Sequence, residues 1–215
     1  MQPQGTSATK EQASESQLLP ALTPALTPAL TPALSPALSP ALSPALTDVL
    51  STYRTESDRT LLELLDQSPI LLIFLRHFGC SFCRQSLDQV GGLRGELEAR
   101  GVRPVFVHLG TPERAKPYFD YYQLADVERV SNIDGSLYAH PCFALPRAHP
   151  LSHFLQPAVW KAWFQTVIRK YGFGMIHEDA HQMPGLFFLR DRAIVRSFRY
   201  RTIADEPDYL KLTDE

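Results

Sequence analysis

The sequence predicts an α/β domain, a central mixed sheet flanked by helices, behind an N-terminal tail without a packed core. Three observations carry this. Residues 70–75 (I-L-L-I-F-L) are an unbroken apolar run opened by Pro69, the pattern of a strand covered on both faces. Past Gly79 the apolar residues change to helical spacing, with Phe82, Leu87, Val90, Leu93 and Leu97 on roughly one side. The order strand, helix, strand, helix, then a hairpin and a helix layers helices on both faces of a mixed sheet.

The chain has 215 residues, enough for one domain with a good core plus extensions. Its net charge of −2 gives no attraction for nucleic acid or acidic membranes, so neither is expected as a partner. Three cysteines in a chain this long are not a disulfide framework. Residues 1–17 are polar and lack the basic start and apolar run of a secretory signal, so the expected location is cytoplasmic. From Pro20 the unit P-A-L-T or P-A-L-S repeats seven times, ending at Thr47. A proline at every fourth position removes a hydrogen bond from each helical turn and clashes with the turn before it, and it equally excludes a central strand. Residues 1–47 are therefore expected to be a disordered or extended spacer and residues 48–215 the folded domain. The alternative is that the evenly spaced leucines dock on a partner groove.

Within the domain, Leu61, Leu62, Leu64 and Leu65 mark a short helix begun around Ser57 or Asp58 and stopped by Ser68 and Pro69. In the helix past Gly79, Gly91, Gly92 and Gly95 each cost up to about 1 kcal/mol relative to alanine, which predicts a bend, and Gly101 follows as a cap. Residues 102–109 form the second strand. Thr111, Pro112 and Glu113 supply an N-cap, a first-turn proline and a first-turn acid for a helix through about Leu124, whose Tyr118, Tyr121 and Tyr122 are read as packing. Asp134-Gly135 marks a turn, and residues 136–143 a weak helix broken by Pro141. Residues 157–171 are amphipathic, with Trp160, Trp163, Phe164, Val167 and Ile168 on one face, so the domain carries a helical insertion at about 140–180. Met183-Pro184-Gly185 then opens a hairpin of strands at 186–189 and 194–200, and Asp205-Glu206-Pro207 begins a short last helix.

The chemistry concentrates where the first strand meets its helix. Cys80 and Cys83 form a C-x-x-C there. Cys80 falls at or just before the first helical turn, where unpaired amides and the positive end of the dipole favour an anion. Thiols in such settings reach pKa values of about 3.5–7.5, against about 8.5 for a free cysteine. Cys83 lies one turn deeper, close enough to attack a mixed disulfide formed on Cys80, so the pair would cycle between dithiol and disulfide. His77 and Arg84 flank it, and either would add positive charge. A zinc site built on His77, Cys80 and Cys83 competes with this, but it lacks a fourth ligand and a second paired motif, so no metal or cofactor is expected. Cys142 stands alone, as a small buried hydrophobe or a long-range resolving thiol. His177-Glu178-Asp179-Ala180-His181 matches H-E-x-x-H, the zinc metalloprotease signature, which requires a stable helix. Gly174 and Pro184 leave little room for one, so a loop beside the cysteines is the simpler reading. His149 and His153 are also four apart, with no partner to recommend them.

The C-x-x-C after the first core strand and the M-P-G opening the hairpin resemble the thioredoxin superfamily. More closely, F-L-R-H-F-G-C-S-F-C-R, V-F-V-H-L-G-T, Q-M-P-G-L-F-F-L-R-D and D-E-P-D-Y-L look like the peroxiredoxin-like (AhpC/TSA-type) proteins related to selenoprotein L, over roughly residues 61–212. The resemblance implies a thioredoxin-like fold, with Cys80 as nucleophile and Cys83 as resolving thiol. It also implies that Pro184, beside Met183, is the cis-proline that packs against the cysteines. The implied activity is that of an antioxidant-type oxidoreductase acting on a protein disulfide or a peroxide and reset by an external dithiol. Two features depart from the pattern. Phe74 stands where thioredoxins place a buried aspartate, and neither cysteine fits P-x-x-x-T-x-x-C: Cys80 has Ile73 and His77 at those places, Cys83 has Arg76 and Cys80. The alternative is a thioredoxin-fold binding or redox-sensing module that forms the disulfide without turnover.

Overall fold

A computed structural model describes residues 44–148 and 168–214. In chain order its elements are α1 (Pro44–Thr52), α2 (Leu61–Gln67), β1 (Ile70–Phe74), α3 (Ser81–Ala99), β2 (Arg103–His108), α4 (Pro112–Tyr121), β3 (Arg129–Ser131), α5 (Ser136–Ala139), α6 (Ile168–Tyr171), β4 (Gly185–Arg190), β5 (Ala193–Arg199) and α7 (Tyr209–Leu212). The strands form one mixed sheet of order β3-β2-β1-β4-β5. β1 is central, parallel to β2 and antiparallel to β4, with Leu72 paired to Val105 on one side and Phe187 on the other.

All five residues of β1 are buried, as its unbroken apolar run requires, and each such side chain contributes about 1.5–3 kcal/mol of burial. Alternation along the strand then separates two cores. Ile70, Leu72 and Phe74 join Val105, Val107, Phe187 and Leu189 under residues of α1, α2 and α5. Leu71, Ile73 and Leu75 join Phe106, Leu186 and Phe188 under residues of α3, α4 and α7.

Several boundaries differ from the sequence reading for local reasons. The last P-A-L-T unit, 44–47, forms the first turn of α1, where a proline's missing amide goes unused, and Leu46 enters the core with Val49 and Leu50. The folded region therefore takes in Pro44, ahead of the expected 48, whereas the earlier repeats lie outside the described residues. α2 begins later than residues 57–58 because Thr60 caps it: the Thr60 hydroxyl accepts from the Glu63 amide and the Glu63 carboxylate accepts from the Thr60 amide. α3 continues through its three glycines. A Cβ on Gly91 would lie 2.7 Å from Tyr122 O, so that glycine lets α3 approach the end of α4. The short β3 has no counterpart among the predicted elements. The helix expected over 136–143 shortens to α5. The hairpin turns on Asp191 and Arg192, both at positive φ, as a two-residue loop requires.

Of the amphipathic element predicted over 157–171, only its last turn, α6, is described. Its tryptophans, together with His149 and His153, lie outside the described residues. Among those described, no helix is long and apolar enough to cross a membrane.

Candidate active site

The sheet delivers the two thiols to the end of β1. Past Leu75 the chain leaves the strand, and the Cys80 amide donates to His77 O at 3.0 Å, a turn that sets Cys80 as the N-cap of α3. Cys83 follows within the first turn. All three cysteines are free thiols; Cys80 is 5% exposed and Cys83 4%.

One residue touches both sulfurs. The Arg76 amide donates to Cys83 Sγ at 3.3 Å, and Arg76 Nη1 lies 3.8 Å from Cys80 Sγ. The guanidinium is buried and held by backbone carbonyls, with Nε donating to Gln182 O at 2.9 Å and Nη2 donating to Ala180 O. The two thiols are pushed in opposite directions. A hydrogen bond from the Cys83 thiol, together with the charges of Arg76 and His77 and the Cys83 amide, outweighs burial and holds Cys80 well below the ordinary thiol range. Burial, the hydrogen bond that it donates and the charge on Cys80 push Cys83 well above it. Of the two, Cys80 is the one disposed to lose its proton.

The flanking cations expected from sequence are placed differently. Arg84 turns from the sulfurs to support the loop: Nε donates to Phe78 O and Nη1 to Tyr171 O, each at 2.9 Å, and the guanidinium stacks over the Tyr118 ring. His77 is buried, and burial pushes its pKa down, which weakens it as a source of positive charge. Its Nδ1 has no hydrogen-bond partner among the described residues. Arg76 is the fixed charge beside Cys80, and sequence spacing gave no signal for it because the carbonyls that hold its guanidinium lie more than a hundred residues away, at |i−j| of 104 and 106.

Residues 172–183 wrap the cysteine loop. Gly174 donates its amide to Gly79 O at 3.1 Å, Ser81 Oγ donates to Gly172 O, and a Cβ on Gly79 would stand 2.5 Å from Met175 O. The H-E-x-x-H match falls in this stretch, which is not helical, and its His177 and His181 are exposed. Glu178 instead pairs with Arg114 of α4 and accepts the Phe78 amide at 3.3 Å, anchoring the cysteine loop. The metalloprotease arrangement is therefore not formed, and no cluster of three His, Cys, Asp or Glu side chains suited to a metal occurs among the described residues. Met183 packs in the same core as the cysteines, and Pro184 shares with Cys83 the wall of a narrow cleft of about 20 Å³, room for a water-sized molecule. Cys80 is not on that wall. Cys142 packs against the core on the other face of the sheet, away from the pair, and burial raises its pKa.

Comparison with solved structures decides the fold. Xanthomonas campestris peroxiredoxin Q aligns with a TM-score of 0.52 and 14% identity, covering 76% of this chain and 87% of that one. The fold is thioredoxin-like. A mutant of the peroxiredoxin 6 of Arenicola marina shares it at TM-score 0.51 and 11% identity, over 75% of this chain and 66% of that one. A secreted Mycobacterium tuberculosis disulfide oxidoreductase homologous to E. coli DsbE matches at TM-score 0.46 and 14% identity, over 77% and 94% of the two chains. Neither the protein-family models nor the curated proteins contain a match. In this thioredoxin-like fold the C-x-x-C occupies the junction of central strand and long helix.

Proposed function

We propose that this chain is a thiol-disulfide oxidoreductase of antioxidant type, in which Cys80 attacks a disulfide or a peroxide, Cys83 closes the intramolecular disulfide and an external dithiol resets the pair. The observation that carries this reading is the unequal pair at the helix terminus, where the Cys83 thiol hydrogen-bonds Cys80 and the Arg76 guanidinium stands 3.8 Å from Cys80 Sγ. A thiolate at the helix terminus with a protonated thiol one turn deeper lets the first sulfur attack while the second waits. With a disulfide, Cys80 displaces one thiolate and Cys83 then displaces the other. With a peroxide, an S–O bond forms as the O–O bond breaks, and Cys83 attacks the resulting sulfenic acid with loss of water. Structural likeness to peroxiredoxins supports the peroxide as oxidant, and the sequence motifs support kinship with the peroxiredoxin-like proteins related to selenoprotein L. Pro184, proposed to be cis, walls the cleft beside Cys83. The proposed setting is the cytoplasm, where thiols are kept reduced.

The test is the rate of Cys80 alkylation against pH in the full chain carrying Cys83→Ser and Cys142→Ser. The rate follows the thiolate, so it should be full above the depressed pKa and fall away as pH drops through it, with a midpoint well below about 8.5. A midpoint at or above that value removes the activated nucleophile and with it the enzyme reading. The burial of both thiols favours a second reading, a redox-sensing module. Disulfide formation without turnover on peroxide or disulfide substrates, with an excess of external dithiol, would select it.

A further inference from the structure

Arg76 has an unusual electrostatic position. It is 4% exposed, and among the described residues no carboxylate lies within ion-pair distance of it. The Cys80 sulfur is its anionic neighbour, and its other contacts are the carbonyls of Ala180 and Gln182. Those carbonyls belong to the segment 172–183 that wraps the cysteine loop. That segment is held largely by polar contacts: Phe173, Met175 and Ile176 are exposed, and the ties include backbone bonds, Ser81 Oγ, the pairs of Glu178 with Arg114 and Asp179 with Arg147, and Arg76 at its C-terminal end.

We propose that Arg76 couples the charge on Cys80 to the closure of residues 172–183, so that the dithiol form holds the segment over the cysteine loop and the disulfide form releases it. The proposal rests on the redox reading of Cys80 and Cys83. When the S–S bond forms, two electrons pass to the oxidant, the Cys83 proton is lost and the Cys80 sulfur becomes neutral. The guanidinium is then a buried cation without a counter-charge, a state that folded proteins avoid by moving the charge to water. Arg76 reaches water by leaving the carbonyls of Ala180 and Gln182, and the C-terminal part of the segment loses that tie. Linkage requires the reverse as well: a closed segment favours the dithiol by the same factor by which oxidation opens it. Arg76 is in this sense a positioning residue, acting through Cys80 and through the segment.

The experiment is amide hydrogen exchange across 172–183 in the full-length chain, as dithiol, as disulfide formed with oxidised glutathione, and as Cys80→Ser. Exchange should be faster by about tenfold or more in the disulfide, and in Cys80→Ser, which removes the charge without forming a bond. Arg76→Gln should exchange fast in both redox states, and Arg76→Lys should keep part of the difference. A second readout is the equilibrium in which Cys80 thiolate, Cys83 thiol, oxidised glutathione and one proton give the protein disulfide and two reduced glutathiones, measured with Cys142→Ser. Arg76→Gln should move it towards the disulfide by about tenfold, a change that a purely structural role would not produce. Exchange agreeing within about twofold among dithiol, disulfide and Cys80→Ser overturns the coupling. These three forms all retain Arg76, so they decide the matter even if Arg76→Gln does not fold. Should Cys80 and Cys83 refuse to oxidise, the redox reading fails, while the Cys80→Ser comparison still decides the latch.

Discussion

On the face of the sheet beneath α1, α2 and α5, β1 presents Ile70, Leu72 and Phe74 to a core of aliphatic and aromatic groups. Phe74 stacks edge-on with Tyr138 at 4.9 Å and with Phe187 at 5.6 Å, and the Tyr138 hydroxyl is satisfied by the carbonyls of Leu75 and Val107. On the opposite face the same strand presents Leu71, Ile73 and Leu75 to a core that also holds both thiols. Just past the strand end stand a buried guanidinium and an imidazole nitrogen without a hydrogen-bond partner among the described residues. One strand thus serves two cores with different duties. The first is packed for stability, and the second takes in polar groups beside the thiols, at the point where strand pairing stops.

That contrast can be broken or sharpened by substitution. The largest effect is expected from Phe187→Ala in the apolar core, which should destabilise the protein by about 3–5 kcal/mol in urea unfolding. Cys80 alkylation in the folded variant should be unchanged, and a parallel drop in reactivity would show that the two cores are one unit. Gly79→Ala acts on the other side. Its Cβ would stand 2.5 Å from Met175 O, so the backbone of the wrapping segment must shift. A stability loss of about 1–3 kcal/mol is expected, with faster alkylation of Cys80 by a neutral reagent. Slower or unaltered alkylation would mean that the segment does not guard the thiol. The smallest effect belongs to Gly92→Ala, an exposed helical site with nothing within 4 Å of the added Cβ, where stability should rise by about 0.5–1 kcal/mol without any change in reactivity.

What could be read from the sequence follows how local each signal is. The run at 70–75, the Thr111-Pro112-Glu113 start of α4 and the M-P-G before β4 are decided by near neighbours, and they anticipated the elements. Thr60 was equally local: T-L-L-E is a capping-box pattern, and it outcompetes Ser57 and Asp58 as the start of α2. β3 is three residues long with one buried side chain, too short for alternation to register. α1 was hidden because its first turn is written in the repeat that forbids helix when tandem and permits it when terminal. At the site, Cys80 and Cys83 were legible from their spacing, whereas the partners of Arg76 and Glu178 are set by tertiary contacts that no local pattern encodes. Arg84 and His77 stand near the cysteines in sequence, but their side chains are directed by the loop around them.

The outermost strand has a bearing on crowding. β5 lies at the end of the sheet, and within or next to its seven residues stand Arg192, Arg196 and Arg199. Arg196 reaches the carbonyls of Lys211 and Asp214, while Arg199 reaches Phe143 O. A second copy adding itself strand to strand along this rim would bring like charges together and loosen those contacts. The opposite rim, β3, is short, and its Arg129 carbonyl already accepts the Glu56 amide. Both borders of the sheet are thus charged or already engaged, the arrangement that disfavours a second copy pairing onto either edge.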